Sequence, residues 1–123
     1  MAENPWPNFA KGHRRTIKTI LMELGSGIGD RTEGTIKFFV ETTPDGQGNF
    51  KHRCQLYVVP IAYFYPLFTV THTVNIFPVT TIADALSQPV VSNTEEEFVA
   101  VLKQIITSDS TRNVVEQLLD AAN

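Results

Sequence analysis

Three stretches between Thr35 and Thr81 alternate apolar and polar side chains with a period of two, and nothing else in the chain limits the fold as tightly. In the first, Ile36, Phe38 and Val40 alternate with Lys37, Phe39 and Glu41. In the second, Phe50, His52, Cys54, Leu56 and Val58 alternate with Lys51, Arg53, Gln55, Tyr57 and Val59. In the third, Phe68, Val70, His72, Val74 and Ile76 alternate with Thr69, Thr71, Thr73, Asn75 and Phe77. A strand points successive side chains to opposite faces, so this pattern predicts antiparallel strands sharing one apolar face. Thr43 to Asn49 supplies the first turn, with Pro44 presetting φ and Asp45-Gly46 making the corner. Pro60 ends the second strand, because proline cannot donate to a ladder, and Pro78 closes or kinks the third. With Val79 to Thr81 as a short extension, the expected sheet has three or four strands over about residues 35–81.

A sheet with one apolar face needs a cover, and the flanking segments carry it. Ile17, Ile20, Leu21, Leu24 and Ile28 fall on one helical stripe, with Arg14, Arg15, Lys18, Glu23 and Asp30 on the other side. They predict a helix over about residues 13–33. Gly25, Gly27 and Gly29 oppose it, each by about 1 kcal/mol in a helix interior. Either the helix stops at Leu24 or it continues, weakened, to a C-cap at Gly34; Ile28 keeps the stripe in phase and favours continuation. Near the other end, Thr94 with Glu97 forms a capping box ahead of Phe98, Val101, Leu102 and Ile105. Ser108 then opens a second stripe of Val114, Val115, Leu118, Leu119 and Ala122, giving a helical hairpin over about 94–122. Ile82 to Asn93 reads as a loop with one helical turn at Ala83 to Leu86. Residues 1–12 read as an irregular arm whose Trp6 and Phe9 are expected to dock against the body or a second subunit. The expected architecture is a single α+β domain over residues 1–123.

Composition narrows the function classes. With 42% hydrophobic and 19% charged residues the chain can bury a core and is not a disordered segment. No apolar run approaches the roughly 18–20 residues of a membrane span, so no membrane partner is expected. The first residues lack a signal-peptide layout, and Cys54 has no second cysteine to pair with; a reducing, cytoplasmic setting follows. Net charge is −3, with eight Lys/Arg against six Asp/Glu in residues 1–60 and two against seven thereafter. Lys11, His13, Arg14, Arg15 and Lys18 could meet phosphate along the first helix. Such runs are usually plain solvated faces, and the chain is acidic, so nucleic-acid binding is not expected.

Two constellations could carry function. His52, Cys54 and His72 share the inward face by parity. If Val59 pairs with Leu67, Cys54 lies opposite His72 at about 5 Å, close enough for a zinc ligand pair or an activated thiolate. A different register separates them, and no carboxylate joins the face, so no metal, cofactor or catalytic residue is assigned. The three mark the pocket of an alternative reading, a small-molecule-binding or catalytic domain. Gly25-Ser-Gly-Ile-Gly29 is no phosphate loop, since it follows a helix and lacks the Lys-Ser/Thr ending. Close helix packing or a joint accounts better for those glycines.

The second constellation is aromatic. Tyr63, Phe64, Tyr65 and Phe68 crowd one strand connection, and Phe39, Tyr57 and Phe77 lie on the outward face. Together they outline a candidate protein interface. The preferred expectation is therefore a non-enzymatic interaction or assembly module that pairs as a homodimer. Tyr65-Pro66 is noted as a candidate cis bond.

Overall fold

Five strands form one antiparallel sheet in sequence order: β1 (Ile36–Pro44), β2 (Asn49–Val58), β3 (Tyr63–Thr73), β4 (Val79–Ala83) and β5 (Val90–Ser92). They are read from a computed structural model that describes residues 4–9 and 15–123. The meander is larger than the three or four strands expected. The extra strand, β5, comes out of the segment read as a loop, where three residues are too few to display a period. The helical turn expected at Ala83 to Leu86 is a tight turn, closed by the Leu86 N–H donating to the Ala83 carbonyl at 3.0 Å. It delivers Leu86 to the core.

β3 also departs from expectation at both ends. It begins at Tyr63, inside the aromatic connection, and stops at Thr73, leaving Val74 77% exposed instead of inward. The β2–β3 turn shrinks to one 3₁₀ turn, Val59–Ile61, followed by Ala62 at φ 49°. The register follows: Val58 pairs with Tyr63, whereas the sequence pointed to Val59 with Leu67. Between Cys54↔Phe68 and Gln55↔Pro66 one residue, Leu67, has no partner and forms a bulge. A bulge can turn two successive side chains to the same face, and Phe68 is buried beneath the helices while Leu67 lines a cavity on that side. The cis peptide bond is Phe77-Pro78 and not Tyr65-Pro66.

The N-terminal stripe forms two helices, α1 (Ile17–Gly25) and α2 (Gly27–Arg31), broken at Ser26. Both readings of the glycines are partly met. The regular helix ends one residue past Leu24, and a second piece carries the stripe on to Gly34, which sits at φ 79° and donates to the Gly29 carbonyl at 2.8 Å. Gly25 is where the helix touches the sheet, because a Cβ there would lie 2.3 Å from Cδ2 of Phe38. Thr32 ties the end of α2 to β1: its buried hydroxyl donates to the Ile28 carbonyl at 2.8 Å and accepts from the Ile36 N–H at 3.0 Å.

The C-terminal hairpin is α3 (Glu95–Ile106) and α4 (Asp109–Ala122). Thr94 Oγ1 accepts from the Glu97 N–H at 3.2 Å, while the Glu97 carboxylate reaches one residue further back than a standard box, to the Asn93 N–H at 2.6 Å. Ser108 Oγ accepts from the Thr111 N–H at 3.2 Å and starts α4. All four helices pack on one face of the sheet, burying Ile17, Ile20, Leu21, Ile36, Leu56, Phe98, Leu102 and Ile105. Nothing described covers the other face. Trp6 and Phe9 lean on each other, ring centroids 6.1 Å apart, but are 72% and 69% exposed and do not dock on the body. No helix among the described residues is long and apolar enough to cross a membrane.

Candidate functional site

The uncovered face is built by parity from β1 outward. Lys37, Tyr57 and Phe64 lie in one cross-strand row, Phe39, Gln55 and Pro66 in the next, and Glu41, Arg53, Thr69 and Ile82 in a third. The first two rows bring three aromatic rings together. Phe39 stands edge-on to Tyr57 at 5.6 Å and to Phe64 at 5.8 Å, and Tyr57 meets Phe64 at 4.5 Å. These are the separations at which aromatic pairs attract beyond their area burial. The cluster is nevertheless wet, with Phe39 45% and Phe64 49% exposed. Ile82 and Val91, also exposed, extend the apolar surface along the same face.

Four of the aromatics expected at an interface belong elsewhere. Phe68 is buried beneath the helices, and Tyr65 and Phe77 pack half-buried against the same core. Phe68 follows its alternation with Val70, and the bulge turns Tyr65 to the same side by shifting the parity of everything before Phe68. Tyr63 is exposed, yet it pairs with the inward-facing Val58, so the pleat puts it on the side opposite Phe64.

The register also divides the Cys/His set. Cys54 pairs with Phe68, His52 with Val70 and His72 with Phe50. Cys54 is fully buried, and burial pushes its thiol up, away from the thiolate that nucleophilic attack or metal ligation needs. The two histidines, diagonal neighbours, meet: Nε2 of His52 is 2.8 Å from Nε2 of His72. Their ring centroids are 4.9 Å apart in nearly parallel planes, so the rings meet edge to edge and not face to face.

The ends of this pair fix its protons. His72 Nδ1 lies 2.7 Å from the Thr73 carbonyl, which can only accept, so Nδ1 carries a hydrogen. In the neutral ring His72 Nε2 then accepts from His52 Nε2–H, and His52 Nδ1 accepts from the Thr42 hydroxyl at 2.8 Å. A proton on both rings would set N–H against N–H. Burial, then the neighbouring His72 and Lys18, lower His52 from its ordinary 6.5 to about 4. A histidine held neutral in the fold but protonated when unfolded makes stability rise with pH between those two values. This contribution is complete above pH 6.5 and is lost as pH falls toward about 4. Water in the open pocket beside His52 screens the charge, so the loss is about 1–2 kcal/mol. Urea midpoints at several pH values for wild type and His52→Gln check it: their difference should change across this window, and parallel curves would refute the assignment.

Among the described residues, a smaller and a larger cavity flank the helix side of the sheet. The smaller, about 220 Å³, is lined by Thr16, Ile17, Lys18, Phe50, His52, His72 and Ile76 and does not include Cys54. The larger, about 630 Å³, lies at the other end, between α2 and α4 over Phe38, Leu56 and Leu67. The pocket expected around Cys54 and His72 is thus replaced by a small one on the histidines and a large one on the bulge. Its signal in the sequence was Leu67-Phe68, two large apolar residues in succession where strict alternation allows one.

The basic cluster is partly neutralised. Arg15 pairs with both Glu23 and Glu95, joining α1 to the start of α3. Lys18 is exposed on α1, and Arg14, with Lys11 and His13, lies outside the described residues. Among the described residues, no three His, Cys, Asp or Glu side chains converge as metal ligands.

The class these features define is a five-stranded antiparallel α+β sheet with helices on one face and an aromatic cluster on the other. No protein-family model matches the chain, and no curated protein or solved structure was found that is significantly similar to it.

Proposed function

We propose that the chain is a non-catalytic assembly module that pairs with a second copy of itself through the uncovered face of its sheet. The observation that carries this reading is the Phe39–Tyr57–Phe64 cluster, half in water on an otherwise well-packed domain. Contiguous aromatic surface rimmed by charge is the composition of an interface core. The charges favour self-pairing. Lys37 and Glu41 flank Phe39 on the same face of β1, one two residues before it and the other two after. A two-fold axis between facing sheets, at the level of Phe39 and across the strands, brings Lys37 of each copy over Glu41 of the other. An isologous contact needs that self-complementarity.

A binding role without catalysis agrees with the histidine pair, whose relay ends on a backbone carbonyl, and with the inert thiol of Cys54. The lone, unpaired cysteine suits a cytoplasmic home.

Light scattering over a concentration series tests the reading. Wild type is expected at twice the 13.7 kDa of the chain. Phe39→Asp with Phe64→Asp should give the single-chain mass with unchanged far-UV circular dichroism. Lys37→Glu should weaken pairing roughly tenfold, through two symmetric repulsions, and Lys37→Glu with Glu41→Lys should restore it. A wild-type monomer at every concentration, or a dimer indifferent to the aromatic replacements, ends the proposal.

A further inference from the structure

The geometry points to a second binding site on the helix side of the sheet, for an amphipathic anion with an apolar body and a single negative head, the chemistry of a long-chain carboxylate. The site is the cavity of about 630 Å³ between α2 and α4. That volume lies within the range of small-molecule pockets, and its walls have their mixture of an apolar interior and a few polar groups. The floor is Phe38, Leu56 and Leu67, the last turned inward by the bulge in β3.

Charge at the rim selects the head group. Arg31, Arg112 and Glu116 line the cavity. Glu116 is matched by Arg112, whose Nε lies 3.4 Å from its carboxylate. No carboxylate among the described residues pairs with Arg31, so the rim holds one uncompensated positive charge on a chain of net charge −3. Arg31 sits in the last turn of a helix only five residues long, where the dipole it could complement is small. A guanidinium over an apolar cavity favours a carboxylate, which it can bind with two parallel hydrogen bonds.

Gly27 offers a way to close the open space. Gly27 forms part of the wall, its φ is not positive, and a Cβ built on it would meet nothing within 4 Å. A larger residue there could fill the cavity without clashing with the fold, which separates occlusion from unfolding. Arg31→Gln keeps length and hydrogen-bonding capacity while removing the charge.

The probe is dodecanoate below its micelle concentration, titrated by calorimetry against the full chain, with dodecanol as the neutral control. Dodecanoate is expected to saturate one site per chain and to bind at least tenfold more tightly than dodecanol. Arg31→Gln should weaken dodecanoate about tenfold and leave dodecanol unchanged. Gly27→Phe should abolish binding of both while the thermal midpoint holds or rises. The inference is overturned if dodecanoate does not saturate, if dodecanol binds equally well and Arg31→Gln changes nothing, or if folded Gly27→Phe binds like wild type. Phe39→Asp with Phe64→Asp lies on the opposite face and should not alter the titration, so this inference and the proposed pairing fail separately.

Discussion

Replacing Phe98 with alanine is expected to lower the free energy of unfolding by about 3–5 kcal/mol, the usual cost of emptying a buried phenylalanine site. Phe98 lies in the first turn of α3, is fully buried and is the largest side chain so placed. It anchors the helix at the end fixed by the Thr94 and Glu97 caps, where α3 crosses β4 and β5. The neighbours cannot collapse easily into the gap, because the capped helix start and the paired strands hold both sides. A domain of this size typically has 5–15 kcal/mol in total, so the variant should sit near its unfolding midpoint at modest denaturant. Phe98→Leu, which keeps most of the volume, should cost less than about 2 kcal/mol. Urea unfolding followed by circular dichroism reads both. A loss under about 1.5 kcal/mol for Phe98→Ala would mean that α3 is not seated as described.

The second large effect runs against helix propensity. On an exposed helix, Gly→Ala gains about 1 kcal/mol. At Gly25 the new methyl would lie 2.3–2.5 Å from Cδ2, Cε2 and Cγ of Phe38, too close for either group to stay in place. Overpacking of this kind costs about 1–3 kcal/mol, so Gly25→Ala should be destabilising despite the better helix former. The large cavity that Phe38 lines is open space into which its ring can yield, so the variant should also bind dodecanoate less well. Gly25→Ala combined with Phe38→Leu should be more stable than the sum of the single losses predicts, by about 0.5–3 kcal/mol of coupling. Simple additivity would separate Gly25 from Phe38 and remove the account given for that glycine.

The features legible beforehand share one property: each is a local pattern repeated several times. The alternation of Ile36, Phe38 and Val40 against Lys37, Phe39 and Glu41 fixed which face of β1 is buried. The stripes on α3 and α4, and the Thr94 and Ser108 caps, set the C-terminal hairpin to within a residue or two. β5 escaped because a three-residue strand repeats nothing; only its pairing with β4 makes it a strand. The break at Ser26 was hidden for the opposite reason, since the apolar stripe runs unbroken across a join that glycine permits. Among the aromatics, alternation turned Phe68 inward and Phe39, Tyr57 and Phe77 outward; the first three lie so and Phe77 packs on the core, whereas Tyr63, Phe64 and Tyr65 had no legible side, since their parity depends on the bulge at Leu67.

What the amino-acid order determined by itself is the side of each element that avoids water, because burial follows from periods of two and 3.6 that are written along the chain. What only the tertiary structure decided is which side chains meet. His72 sits beside His52 rather than Cys54 because the tight turn at Val59–Ile61 sets the register of β2 and β3, and a cavity opens over Leu56 and Leu67 where one bulged residue turns inward. A single step of register costs little in local energy yet flips every side chain beyond it, so contacts between strands answer to the packing of the whole sheet.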